Sequence, residues 1–295
     1  MRRARTWDEM VQLMAPMFQL EEQAYQEFRP RPSDVIIAPS AKCGTTWLQQ
    51  IVHSLRTGGD MDFSDIYEVV PWIDVAPVLG LDLSADQRAE PRAFKSHAAW
   101  DGAPKGCRYL VAFRDPKDVV VSLYRFFEGW FFEPGAIALD DFVARRMFDP
   151  DGGSTYWPHQ SSWLAQRDNP NVMLLTFEAM KRDLPGAVRR IAGFLDLDLD
   201  AEQIDQRISI ATRQSSFDFM STHSEPFSEP LLRRWVSENV GIPLGNAAKV
   251  RVGAVGTNRK ELSAATATRL DQAWRELIGS EFGYASYDEL VADMG

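Results

Sequence analysis

The chain has 295 residues, within reach of one large α/β domain, and 45% of them are hydrophobic, enough to bury a full core. A formal net charge of −10 argues against nucleic acid, which wants a basic stripe, and against a long polyanionic acceptor. Two cysteines, Cys43 and Cys107, are too few for a disulfide framework and fit a reducing compartment.

The N-terminus, Met1-Arg2-Arg3, could open a signal peptide, but Asp8, Glu9, Gln12, Pro16 and Gln19 interrupt any apolar run. No later segment approaches the ~20 apolar residues of a membrane span. The expectation is a soluble cytoplasmic protein without internal repeats. Residues 1–30 read as a helical leader, amphipathic over 7–28 with a break at Pro16. Val35 to Ala38 reads as a buried strand, followed by a tight loop, Pro39 to Gly44. Thr45 and Thr46 are placed to cap a helix that runs to Thr57, with Leu48, Ile51, Val52 and Leu55 at helical spacing and Gly58-Gly59 as its stop. Residues 60–91 read as loop with an apolar cluster between Phe63 and Ile73.

Ala93 to Ser96 is a second predicted strand, ending at His97, and Arg108 to Phe113 a third. Asp115-Pro116-Lys117-Asp118 is a helix start, with Asp115 as N-cap and Pro116 in the first turn. That helix is expected to run through Tyr124, with an aromatic block after it, Phe126 to Phe132. Further helices are expected at 138–147 and 154–167, a fourth strand at Val172 to Thr176, then helices at 185–195 and 201–211 and near Phe217. The Pro- and Gly-punctuated stretch 221–250 reads as a lid loop, and a last helix spans about 262–279. Strands alternating with helices imply a mostly parallel sheet with helices on both faces, P-loop-like, in a single domain. Ligands of such sheets sit beyond the carboxyl ends of the strands, which puts 39–44, His97 and Arg114 on one rim.

A strand, a tight loop and a helix N-terminus make an anion site, because free amides point outward and the helix dipole favours negative charge. Lys42 adds a mobile cation. The loop lacks the first Gly of G-x-x-x-x-G-K-[ST], and its Lys precedes the Gly by two positions, so it is not spelled as a Walker A site. Arg114 ends a strand, and Ser122 lies about two helical turns past Asp115, so both can converge on one anion. Taken alone, the simpler reading is Arg114 paired with Asp115 or Asp118 and Ser122 as an ordinary helix residue. Of the four histidines, His53, His159 and His223 read as surface or satisfied core residues; His97 differs because a strand delivers it to the rim.

Pro39 to Trp47 resembles the 5′-phosphosulfate loop of sulfotransferases that use 3′-phosphoadenosine 5′-phosphosulfate (PAPS), spelled P-K-S-G-T-T-W, with Cys43 where Ser is usual. Phe113 to Ser122 is similar to the family's 3′-phosphate motif, and Phe94-Lys95-Ser96-His97 to its K-T-H, whose His is the catalytic base. Ser215-Ser216-Phe217 looks like T-S-F, which contacts adenine; Phe177 stands where many members have Tyr. Arg251-Val252-Gly253 to Gly256 resembles R-K-G-x-x-G, with Val252 replacing Lys and Asn258 replacing a Trp. The family's dimer motif is not recognisable around 258–270, and a homodimer is left open.

The resemblance implies His97, Lys42 and Lys95 as catalytic residues. It implies nucleotide binding by Lys42, Cys43, Gly44, Thr45, Thr46, Trp47, Arg114, Ser122, Phe177, Ser215, Phe217, Arg251, Val252 and Gly253. PAPS is the expected co-substrate. No metal is demanded, since a sulfuryl group carries less charge than a phosphoryl group. The expected acceptor is a small phenol, alcohol, lipid-like hydroxyl or amine; the aromatics at 63–73 and 126–132 read as an apolar, ring-lined pocket for it or, equally, as buried scaffold. Two other readings stay open: a P-loop-like nucleotide kinase and a non-catalytic nucleotide-binding homologue.

Overall fold

Four short apolar runs form the strands of a parallel sheet in the computed structural model, which describes residues 2–15, 28–149, 155–245, 256 and 258–295. They are β1 (Val35–Ile37), β2 (Ala93–Lys95), β3 (Arg108–Phe113) and β4 (Val172–Thr176), in the order β2-β1-β3-β4. Every neighbouring pair is parallel, with Ile37 opposite Lys95 on one side and Leu110 on the other. Val35, Ile36 and Ile37 are all fully buried. A strand covered on both faces has no polar side to show, which is why its sequence is an unbroken apolar run.

Residues 7–15 form helix α1. Between β1 and β2 lie α2 (Thr45–Thr57), α3 (Ile66–Val69) and α4 (Ala76–Leu79). Between β3 and β4 lie α5 (Pro116–Trp130), α6 (Leu139–Val143) and α7 (Tyr156–Leu164). After β4 come α8 (Phe177–Arg182), α9 (Leu184–Leu195), α10 (Ala201–Gln214), α11 (Phe217–Thr222) and α12 (Pro230–Asn239). The chain ends with α13 (Ala264–Trp274), α14 (Ser280–Phe282) and α15 (Tyr287–Met294). No helix among the described residues is long and apolar enough to cross a membrane.

Helix α2 stops at Gly58, which is left-handed at φ 75° and donates its amide to the Ser54 carbonyl. Its end is sealed by α10: Arg207 donates to the carbonyls of Leu55 and Arg56, and Gln214 to that of Gly59. A Cβ on Gly59 would come within 2.5 Å of the Ile210 side chain, so that contact needs glycine.

Several boundaries differ from the sequence reading. Helix α2 is capped by Gly44, with no side-chain cap; Thr45 is its first residue. Helix α5 does not end before the aromatic block but carries Phe126, Phe127 and Trp130 within it. Aromatic residues are only middling helix formers, and here packing outweighs propensity: Phe126 lies 5.1 Å from Trp130 and Phe127 5.4 Å from Phe142 between ring centroids. The stretch read as a lid loop contains the ten-residue helix α12. The stretch 60–91, expected as loop, contains α3 and α4; α8 and α15 have no counterpart in the sequence reading, and the second half of the leader, 16–27, lies outside the described residues.

The sheet is pinned at the end remote from β1's exit loop. Asp34, just before β1, and Arg92, just before β2, make a two-point buried ion pair at 2.6 and 3.0 Å. Arg92 also donates to the carbonyls of Leu83, Ser84 and Ala85, and Asp34 accepts the amide of Arg31. The pair aligns β1 with β2 and so decides which residues leave the sheet at its other end. Removing one partner strands the other charge in the core, at a cost of about 3–5 kcal/mol. Arg92→Met is expected to lower the unfolding free energy by that amount, about 3–5 kcal/mol, in urea titration. Asp34→Asn with Arg92→Met is expected to cost less than the sum of the two singles; additive losses would show that the pair does not act as a unit.

Candidate active site at the carboxyl ends of β1 and β3

The chain leaves β1 toward one edge of the sheet and returns to place β3 on the other side of β1. A reversal of this kind opens a crevice beyond the strand ends. The loop after β1 bends sharply there. Lys42 at φ 68° and Gly44 at φ 100° are both left-handed, on either side of Cys43. Gly44 is required twice over: its φ disfavours any side chain, and a Cβ would meet the Phe177 ring at 3.1 Å. The first amides of α2 therefore face the crevice without intrahelical partners.

Two imidazoles grip the start of this loop. His159, buried within α7, hydrogen-bonds the Ala38 carbonyl at 3.0 Å. Burial pushes its pKa down to about 4, so the ring is neutral. His97, leaving β2, places Nδ1 at 2.7 Å from the Pro39 carbonyl. A carbonyl only accepts, so Nδ1 carries the proton and the basic lone pair of the neutral ring is on Nε2. The Trp72 ring packs edge-on against His97 at 5.3 Å.

Arg114 leaves β3 and reaches across to the same loop, donating to the Lys42 carbonyl at 3.0 Å and stacking its guanidinium 4.4 Å from the centre of the Phe177 ring. Neither acid next to it in sequence is its partner. Asp115 caps α5 through the Lys117 amide and pairs with Arg259 at 2.6 Å, and Asp118 accepts the Gly256 amide at 2.8 Å. The backbone around Arg114 is held by Tyr156, whose hydroxyl donates to its carbonyl at 2.7 Å, and by Glu178, which accepts the Asp115 amide at 3.3 Å. Burial pushes the carboxyls of Asp115 and Glu178 up.

The loop after β1, His97 and Arg114 open onto one cavity of about 620 Å³. Its lining includes a polar group, Gly44, Thr45, Thr46, Arg114 and Ser122, and the rings of Trp47, Phe177 and Phe217. Trp47 meets Phe177 at 5.2 Å and is fixed by its indole N–H donating to the Ser215 carbonyl at 2.7 Å. Phe217 stands at the rim, 40% exposed. Met10, Met14, Phe127, Trp130, Leu232 and Val236 give it an apolar lining as well, and Lys42 and His97 line the same cavity.

The described sequence-predicted residues are thus brought together on one cavity, apart from Cys43, and two of them, Ser215 and Lys95, line it with their polar side-chain atoms engaged elsewhere. The Cys43 thiol is fully buried outside the cavity lining, and burial pushes its pKa up to about 12. Only its backbone belongs to the loop. Arg251, Val252 and Gly253 lie outside the described residues; the segment that follows them is fastened to α5 through Gly256, Arg259 and an Arg125–Glu261 ion pair. Ser215 contributes its carbonyl and position, since its hydroxyl donates to Ala211. Lys95 lines the cavity but is 2% exposed and donates to the Tyr67 hydroxyl at 2.8 Å. The sequence reading missed Glu229 and Lys181 in the lining. Nothing in the sequence distinguishes them from surface charges.

Two buried polar atoms at the rim, Thr45 Oγ1 and Arg114 Nε, find no hydrogen-bond partner among the described residues. Both can donate, and both belong to residues that line the cavity, which fits a bound anion there.

A family model described as "Sulfotransferase domain" matches residues 32–282. The rabbit (Oryctolagus cuniculus) protein "Amine sulfotransferase" is 26% identical over 85% of this chain and 82% of its own length. "Sulfotransferase 1B1" of Canis lupus familiaris is 31% identical over 66% and 68%. Among solved structures, retinol dehydratase in complex with androsterone and the inactive cofactor PAP aligns with a TM-score of 0.69 at 19% identity, covering 92% of this chain and 94% of that one.

The buried sulfurs give a direct check on the loop. Burial pushes Cys43 to about 12 and Cys107 to about 11, so neither presents a thiolate at pH 8. The folded protein is expected to leave both thiols unreacted with a disulfide reagent, and the denatured protein to titrate both. Rapid labelling of Cys43 in the folded state would mean that its side chain faces the cavity.

Proposed function

The chain belongs to the sulfotransferase domain family, and from that premise we propose that it transfers a sulfuryl group from PAPS to a hydroxyl or amine of a small, apolar or aromatic acceptor, with His97 as general base. The observation that supports this reading best is that the loop after β1, His97 and Arg114 share one cavity lined by polar groups, aromatic rings and apolar side chains.

PAPS supplies the activated sulfuryl group. In this reading Arg114 and Ser122 hold the 3′-phosphate, while Trp47, Phe177 and Phe217 flank the adenine. The amides of Gly44, Thr45 and Thr46 and the Thr45 hydroxyl take the 5′-phosphate oxygens. The unsatisfied Thr45 Oγ1 and Arg114 Nε give that arrangement a physical motive, because each gains a partner on binding.

His97 takes the acceptor proton at Nε2. Its Nδ1–H stays on the Pro39 carbonyl, which stabilises the imidazolium as it forms. The acceptor oxygen or nitrogen bonds to sulfur as the bond from sulfur to the bridging oxygen breaks. Lys42 and the first amides of α2 hold the charge that collects on that oxygen. Catalysis is then positioning plus electrostatics, as for phosphoryl transfer through a loose transition state. The apolar lining of the cavity suits a lipid-like alcohol or a phenol. The structurally similar retinol dehydratase is in complex with androsterone, a ligand of that kind, and with PAP.

His97→Ala is expected to lower turnover by about 10²–10⁴-fold, while the dissociation constant for PAP, the desulfated product, stays within about twofold. Near-wild-type turnover in a PAPS-dependent assay on phenols and alcohols would remove His97 from the mechanism. Calorimetry should show PAP binding at least about tenfold, or 1.4 kcal/mol, more tightly than ATP; the reverse preference would favour a kinase.

A further inference from the structure

Helix α12 lines the cavity with Leu232 and Val236. It starts at a residue that the mechanism above does not use. Glu229, its N-cap, is left-handed at φ 61° and ψ 51° and only 1% exposed. A non-glycine residue persists in that conformation where the surroundings over-determine it.

The surroundings are a buried polar cluster. The Glu229 carboxylate accepts a hydrogen bond from the Tyr67 hydroxyl and pairs with Lys95 at 3.5 Å. Lys95 in turn donates to the Tyr67 oxygen at 2.8 Å and lies 3.4 Å over the Trp72 ring. Three elements meet in this cluster: α3 brings Tyr67, β2 brings Lys95 and α12 brings Glu229. A second buried carboxylate reinforces it. Asp65 accepts the Tyr67 amide at 2.8 Å with one oxygen and the Leu231 amide at 2.9 Å with the other. The first turn of α12 is therefore bolted to the floor of the site by charge.

Lys95 is two residues before His97, and the Trp72 ring that supports the Lys95 ammonium also packs on the His97 imidazole. The anchor of α12 and the base of the reaction thus share one aromatic ring. We propose that Glu229 is a positioning residue that sets acceptor specificity: through Lys95 it ties the α12 wall to the strand that delivers His97, so a buried ion pair fixes the width of the acceptor end. The acceptor half of this statement rests on the function proposed above; the tie between α12 and β2 does not.

The tie is read by hydrogen exchange on the full chain. Glu229→Gln keeps the side-chain shape and removes the charge. It is expected to speed exchange of the α12 amides by about tenfold or more, with those of α2 and α5 within about twofold. Lys95→Met is expected to do the same, and the double substitution to be no faster than either single, as for one coupled pair. If Glu229→Gln does not fold, Lys95→Met decides on the same criterion. The specificity half is read in acceptor KM, expected to rise about fivefold or more in Glu229→Gln with PAP affinity unchanged. Unchanged α12 exchange in either single, multiplying effects in the double, or PAP affinity falling together with acceptor affinity would each overturn the proposal. Wild-type protein that sulfates no acceptor would defeat the function reading, and the exchange measurements would still decide the tie.

Discussion

The hydrogen bond from Arg114 to the Lys42 carbonyl joins the two strand-end loops on which the cavity depends. It works because β1 and β3 are direct neighbours in a parallel sheet, so their exits lie side by side. Arg114 is not drawn back to a carboxylate beside it in the chain. Asp115 and Asp118 are taken up elsewhere, by Arg259 and Gly256, which leaves the guanidinium aimed across the crevice. The same tie holds Lys42 in its left-handed conformation, a strained state that an unsupported loop would not keep. One side chain thereby sets the shape of the loop to which the proposed function assigns one phosphate, and it is itself the residue proposed to hold the other.

The remaining supports arrive from every side of the loop. His159 holds the Ala38 carbonyl and His97 the next one, so consecutive peptide units are fixed by imidazoles from different elements. Behind Arg114, Tyr156 and Glu178 fix the flanking carbonyl and amide, and Tyr287 from α15 donates to Glu178. Such a shell matters because an anion site built from backbone amides gains its strength from geometry: the donors must already point at the ligand before it binds.

Much of this was legible in the sequence, for a physical reason. A residue just past a parallel strand must emerge at the carboxyl edge, so Lys42, His97 and Arg114 could be put on one rim from strand positions alone. The strands themselves were legible because two-sided burial leaves unbroken apolar runs, as at Tyr109 to Phe113. What escaped were features decided by long-range packing. Nothing local tells that Thr45 yields the cap to Gly44, since the choice is set by Phe177 from far along the chain. Nothing local marks Glu229 as buried either. A Glu before a Pro reads as an ordinary exposed helix start, and only the approach of Lys95 and Tyr67 makes it interior. Helix α5 was read short because its aromatics look like a separate block until their partners on α1 and α6 are seen, as in the Trp7–Phe127 contact.

The departures from the family spelling can be weighed by where the side chains point. Cys43 stands in place of a Ser, but its side chain faces the core rather than the crevice. A hydroxyl buried there would need a partner, whereas a thiol packs as a small hydrophobe, so the substitution is a gain in packing and not a lost contact to phosphate. Phe177 in place of a Tyr keeps the ring. That ring already does two things that need no hydroxyl: it lies against Gly44 and forms the face on which Arg114 stacks. In both positions the backbone and the π-face make the contacts that shape the loop, and the atoms that differ lie outside those contacts.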